Sequence, residues 1–439
     1  MSKYHLTLRC GSAIFFMTTK NHTPKTVFEK LTTPLKGIVN HCKNYRNCKS
    51  LSDQQWIETG LLRTLSQEPS GRGFLQKLID TGRSPVKRSH FFETLKSKRR
   101  LKLCREVSFK LYQNIKNNNL IDDPFQEFKG LSDYDIYAGD GHYHAAAAHD
   151  IIKGGKKYPT QHFYSVNLRN GALNHLTLAD TSGKRKKEHD MRALKRLDTE
   201  ILRQGTKIGR KVIYIWDKAG IDFRQWFKWK HSAGIYFISR EKENMDLLLM
   251  ENFSFDRNDN INQGVESFRP AATSTGVMVN HISYKCPITG ESFKFITNLL
   301  DVPPGLIAYL YKTRWDIEKI FDQVKNKLNE KKAWATSDTA KEMQAQFICL
   351  VHNLMLLLDD HIKKQGVDNH IENNRRSKRL RKVLRNIQTK HDKIPVFLST
   401  TKRPALRSVK FIRWLRNNLF ANTSWIRALE SLRLVYDDF

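Results

Sequence analysis

Three acidic residues stand where their chemistry could be used. Asp140 closes the alternating run Tyr134 to Asp140, within Gly139-Asp140-Gly141, and Asp217 follows the apolar run Val212 to Trp216. Both runs read as strands. Each aspartate is therefore expected at a strand end, on the rim of a sheet, and the glycines beside Asp140 are expected to let the backbone turn there. Aspartates in such places are often only helix caps or turn formers. Glu318 has a more telling neighbourhood. Tyr311, Arg314, Glu318 and Lys325 follow one another at intervals of three, four and seven residues, which on a helix makes one stripe. Ile317, Ile320, Phe321 and Val324 fall on the opposite side, free to pack on a sheet. Carboxylates are hard oxygen ligands suited to Mg²⁺ or Mn²⁺, and the two cations and the phenol beside Glu318 could clamp phosphate. On spacing alone, an exposed helix laced with i,i+4 ion pairs is the simpler account.

The whole chain supplies the context. Its 439 residues exceed one compact core and suggest two to four folding units. Hydrophobic residues make up 39% and aromatics 10%, enough to fill cores, which excludes wholesale disorder. Lys and Arg number 76 against 44 Asp and Glu, a net charge of +32. A surface so unbalanced points to a polyanionic partner, nucleic acid before membrane. The apolar run Ala13 to Met17 is too short for a secretion signal. Phe347 to Leu358 is broken by His352 and Asn353 and reads as a buried helix instead of a membrane span. Cys10, Cys42, Cys48, Cys104, Cys286 and Cys349 form no C-x-x-C pair and read as reduced thiols of a cytoplasmic protein. His41 with Cys42 and Cys48 lacks zinc spacing, and His142, His144 and His149 read as strand or loop histidines. Asp222 is expected to cap a helix and Asp316 to lie on the surface. No phosphate-binding glycine loop of the nucleotide-hydrolase type is present.

Elements follow from periodicity. Helices are expected over Thr26–Cys42, Asp53–Ser66 with Ser52 as cap, and Gly73–Thr81. Around Ser84 to Leu95 a turn and a Ser89 cap precede an amphipathic basic helix that could read DNA. From residue 131 the pattern turns to strands. Phe163–Leu168 and Ala172–Leu178 flank Asn170-Gly171, a hairpin signal. A helix over Glu188–Arg203, a strand over Lys211–Trp216, a helix over Asp222–Trp229 and a strand over Gly234–Ser239 complete a mixed α/β core. Residues 241–300 read as a β-rich insertion, followed by helices over Ile307–Lys327, started by Pro303-Pro304, and Thr339–Lys363. The tail from about residue 370 is basic. Arg375, Arg376, Lys378 and Arg379, with Arg413, Trp414 and Arg416 further on, are candidates for contact with DNA phosphates.

The string Tyr311-x2-Arg314-x3-Glu318-x6-Lys325 resembles the YREK signature of bacterial insertion-sequence transposases, the IS-four group of DDE enzymes. Ala138-Gly139-Asp140-Gly141 and Ile215-Trp216-Asp217-Lys218-Ala219-Gly220 resemble that family's other two acidic motifs, and Phe237–Arg240 and Phe295–Leu300 resemble strands flanking its insertion. The likeness spans about residues 131–360. It implies a ribonuclease-H-like core over 131–240 and 301–365, interrupted by the β-rich insertion at 241–300. A helical DNA-end-binding region at 1–130 precedes it, and a basic helical region at 366–439, for DNA contact or dimerisation, follows.

It also implies that Asp140, Asp217 and Glu318 hold two Mg²⁺ ions, or Mn²⁺ in their place, while Tyr311, Arg314 and Lys325 bind phosphates. The implied partners are transposon-end DNA, target DNA and a second copy of the chain in the synaptic complex. The place of action would be the nucleoid of a prokaryotic cytoplasm. Some members stabilise a flipped base with a Trp in the insertion; residues 241–300 contain none here. A protein that keeps this fold and binds DNA without catalysis is the alternative.

Overall fold

The computed structural model describes residues 25–437 except 84–85, 119–120, 153–154, 181–187, 288, 329–331, 368–380, 383–384 and 386–408. Arg375, Arg376, Lys378 and Arg379 lie outside the described residues.

The N-terminal helices are α1 (Val27–Thr32), α2 (Asp53–Leu65), α3 (Gly71–Asp80), α4 (Arg88–Thr94) and α5 (Lys98–Asn117). Ser52 caps α2 through the reciprocal bonds of a capping box with Gln55. The helix expected over Thr26–Cys42 is broken. It stops at Thr32 and continues as short 3₁₀ turns over Thr33–Leu35 and Val39–His41, because Pro34 cannot donate the next helical hydrogen bond. Helix α4 starts at Arg88, and the residue before it, Lys87, makes no side-chain cap. Ser89 is therefore inside the first turn and not its cap.

The sheet comprises β1 (Tyr134–His144), β2 (Thr160–Asn167), β3 (Leu173–Leu178), β4 (Lys211–Ile215), β5 (Ile235–Arg240), β6 (Leu247–Leu249), β7 (Val265–Thr273), β8 (Met278–Lys285) and β9 (Ser292–Thr297). All nine lie in one sheet, in the order β3-β2-β1-β4-β5-β9-β8-β7-β6. β1, β4 and β5 run parallel and the remaining pairs antiparallel. Residues 241–300 thus contribute four strands that lengthen the core sheet through the pairing of β5 with β9. The hairpin between β2 and β3 turns at Gly171, whose φ of 75° suits glycine.

Between β3 and β4, α6 (Asp190–Lys195) and α7 (Thr199–Arg203) replace the single helix expected over Glu188–Arg203. Asp198 has extended backbone and restarts the chain as an N-cap residue. Helix α8 (Phe223–Ala233) is capped by Asp222, which accepts from Gln225 N. After the sheet come α9 (Pro304–Thr313), α10 (Trp315–Lys327), α11 (Asp338–Lys364), α12 (Val409–Phe420) and α13 (Trp425–Asp437).

Period-2 alternation divides the core. Ile136, Ala138, Ile213, Ile215 and Ile238 face one side, packed with α9, α10, α11 and the N-terminal helices. Tyr137, Val212, Tyr214, Trp216 and Phe237 face the other, against Met191, Leu194, Trp226 and Trp229 of α6 and α8. Helix α11 carries Phe347 against Trp56 of α2, ring centroids 5.2 Å apart, so the N-terminal helices share the core of the sheet. It also closes the β3 edge. Asn353 accepts from Leu173 N at 2.9 Å and donates to Leu173 O at 3.0 Å, pairing backbone groups that an edge strand leaves open. Among the described residues no helix is long and apolar enough to cross a membrane.

Candidate active site

Register brings the two aspartates together. Ala138 pairs with Ile215 between the parallel strands β1 and β4, and Ile215 with Ile238 between β4 and β5. Two residues further along, Asp140, Asp217 and Arg240 lie side by side on the face that packs against α9 and α10. Asp140 does not end its strand. β1 runs on to His144, with Asp140 paired to Tyr164 of β2. The glycines beside it make room instead of a turn. A Cβ on Gly139 would stand 2.3 Å from the Trp216 ring, so Gly139 lets that indole cover the strand. Asp217 sits two residues past β4. Its Oδ1 accepts from Ala219 N at 2.8 Å, and its carbonyl accepts from Ser239 Oγ at 2.9 Å, which fixes the chain where it leaves the sheet.

The third acid arrives on α10. The helix expected over Ile307–Lys327 is two, meeting at Arg314. There Arg314 N donates to Tyr311 O and Ile317 N to Arg314 O, i to i−3 bonds that tighten the turn. Ile317, Ile320, Phe321 and Val324 are buried, as the stripe requires. The tightened turn also shifts the helical phase. Asp316, expected at the surface, is buried, and Trp315 is the exposed neighbour. Arg314 is itself buried and joins two of the acids. Its Nη2 is 2.6 Å from Glu318 Oε1 and its Nη1 is 3.8 Å from Asp140 Oδ2. Tyr311 lies over Phe295 with ring centroids 5.1 Å apart, under the Arg314 guanidinium. Lys325 is exposed, two turns beyond Glu318.

Electrostatics single out Asp140. Burial raises its carboxyl to about 7; Asp217 and Asp190 push the same way, and Arg314 only partly offsets them. Asp190 and Arg240 are residues that sequence patterns missed. Asp190 opens α6 and reaches the back of β1, its Oδ1 3.6 Å from where a Gly141 Cβ would be. Arg240 ends β5 beside Asp217, its guanidinium over the Phe293 ring. Only strand register, which periodicity within one strand cannot give, aligns it with the aspartates.

Residues 136–354 match the family model described as a transposase DDE domain. The chain carries a transposase DDE domain. The nine-stranded mixed sheet flanked by helices is the ribonuclease-H-like fold of such a domain, and this supports a transposase function acting on DNA. No curated protein matches the chain.

In this DDE domain the donor set has the chemistry a hard divalent ion needs: three carboxylates, one of them short of positive charge. The arrangement is not a closed metal cage, and among the described residues no cluster of three or more His, Cys, Asp or Glu side chains is set to hold an ion. Arg314 lies against Glu318 and Asp140 and is the cation that balances them here.

The remaining candidates sort plainly. His142 and His144 lie on β1, His142 stacked on Phe321 of α10 at 4.6 Å and His144 on His162 at 4.1 Å. They are strand histidines that pack. Cys42, Cys48, Cys104, Cys286 and Cys349 are free thiols. Trp414 and Arg416 are buried in the helical packing, bonded to Ala428 O and Leu65 O. These two are structural, and of that trio only Arg413 is exposed toward solvent.

Proposed function

We propose that the chain is an insertion-sequence transposase that binds transposon ends, hydrolyses a phosphodiester bond there and transfers the freed 3′-OH into target DNA. The reading rests above all on Arg314. One buried guanidinium spans Asp140 and Glu318, residues far apart in sequence, while strand register sets Asp217 beside Asp140.

Asp140, Asp217 and Glu318 would hold two Mg²⁺ ions, with Mn²⁺ able to substitute. Bound there, the ions would supply an activated oxygen nucleophile and neutralise charge on the phosphoryl group. The chain's own side chains do the rest. Arg314 exchanges its carboxylate partners for a phosphate of the DNA end, a bidentate partner its planar fork suits. Glu318 is thereby released from its ion pair. Tyr311, held against Phe295, donates its hydroxyl to a neighbouring phosphate, and the exposed Lys325 holds the backbone further along. Arg240 adds a cation on the Asp217 side. Arg375, Arg376, Lys378 and Arg379 supply further phosphate contacts. Two ends need two active sites, so a homodimer assembles on DNA, in the nucleoid of a prokaryotic cell.

The test is cleavage of a supercoiled plasmid carrying the DNA from both sides of this reading frame, with and without Mg²⁺. Wild-type protein yields cut and joined products only with the metal, and Asp140→Asn yields neither. Near-wild-type cleavage by that variant would end the proposal. Binding without cleavage by the wild type would favour a non-catalytic DNA-binding protein.

A further inference from the structure

A groove of about 990 Å³ opens between the N-terminal helices and the catalytic core. One wall is built by the segments that leave the two acid-bearing elements. The chain beyond β1, the strand of Asp140, contributes His149. The chain beyond α10, the helix of Glu318, contributes Lys332 and Trp334. Ala333 N donates to Ala145 O at 2.9 Å and ties these two segments together. Gln344 of α11 fixes the second of them, bonding Trp334 N and Lys332 O. The other wall belongs to α3 and α4, with Arg72, Phe92 and Lys96.

Arg72, Lys96 and Lys332 are all exposed, and Glu93 is the one acid among the groove's residues. Cations and aromatic rings on both walls are what a nucleic-acid backbone meets in a binding channel. We propose that this groove holds the phosphate backbone of the DNA strand that continues past the bond cut at the carboxylates. The proposal rests on the functional reading above and assigns a role to Arg72, Lys96 and Lys332. A strand engaged near Asp140 and Glu318 meets this groove where β1 and α10 run out. The N-terminal helices then act as the second jaw of the DNA clamp.

The experiment measures affinity of the full-length protein for a long random-sequence duplex as a function of salt, by fluorescence anisotropy. R72E/K96E/K332E is compared with K207E/K228E/K285E, which makes the same change in net charge at exposed lysines outside the groove. Each lost phosphate contact lowers the slope of log affinity against log salt by about one. The groove variant should lose about three from that slope, and tenfold or more in affinity, while the control keeps most of both. A neutral set, R72Q/K96Q/K332Q, with an unchanged melting temperature guards against misfolding and should show the same direction. Equal slopes for wild type and both groove variants overturn the groove and leave the transposase reading standing. Absence of DNA binding by the wild type overturns both.

Discussion

Asp140 keeps its proton to about pH 7 because burial and two neighbouring acids outweigh one arginine. On the proposed function, a protonated Asp140 would bind a metal ion poorly below that pH. At fixed, subsaturating Mg²⁺ the cleavage rate should climb as pH rises toward 7 and level above it. A flat profile between pH 5 and 8 would contradict the shift. The same group affects folding. Its native pKa lies above the unfolded value, so the native state binds the extra proton and metal-free stability falls as pH rises from about 4 to 7. Asp140→Asn should therefore stabilise the metal-free protein at pH 8 by roughly 2 kcal/mol after allowance for partial exposure, seen as a higher melting temperature, while abolishing cleavage. Arg314 invites the complementary experiment. It lies against Asp140 and Glu318, where the proposed function would put a divalent ion's charge. Arg314→Ala should tighten Mn²⁺ binding to the DNA-free protein, about tenfold for the loss of one charge-assisted bond, yet lose cleavage. Weaker Mn²⁺ binding, read by calorimetry, would show that Arg314 organises the acids instead of competing for them.

At the scale of elements, the junction between α9 and the segment 241–300 is the most exacting. A Cβ on Gly305, in the first turn of α9, would come within 1.7 Å of the carbonyl oxygen of Ile261. Backbone cannot step aside as a flexible side chain can, and Gly305 N also donates to Asn262 Oδ1. Gly305→Ala should cost about 2 kcal/mol or more and lower cleavage beyond the loss of folded protein, because α9 carries Tyr311 and leads into Arg314. A variant as stable and active as wild type in thermal melts and plasmid assays would refute that coupling. Much of this layer was legible from periodicity: the strands around Tyr137 and Tyr214, the Asn170-Gly171 hairpin and the Ser52 cap. The breaks were not. Pro34, Asp198 and the turn at Arg314 interrupt helices whose apolar spacing continues across them, since periodicity records which side faces the core and not whether each hydrogen bond is made.

Across the molecule, the proposed metal site and the packing of the N-terminal helices on the sheet each carry a prediction. Folding and metal binding should be linked. Saturating Mg²⁺ should raise the melting temperature of the wild type and leave a triple variant of Asp140, Asp217 and Glu318 to Asn, Asn and Gln unmoved, as mass action requires of an ion that binds only the native site. Equal shifts in both would place the metal elsewhere. The N-terminal helices, packed through Trp56 on α11, should melt with the sheet in a single transition.

The sequence alone determined most of the kinds of element, the buried stripe of α10 and the basic charge of the chain, while the grouping of Glu318 with the two aspartates rested on the resemblance of the Tyr311 to Lys325 string. Those are local properties, written in residue type and period. Tertiary structure decided the rest: that β1 runs past Asp140, that Asp190 and Arg240 stand near the acids, that Asp316 is buried, and that Arg314 links Asp140 to Glu318. Each depends on register between strands or on helical phase after a break. Both are fixed by packing against distant residues, and no single segment carries them.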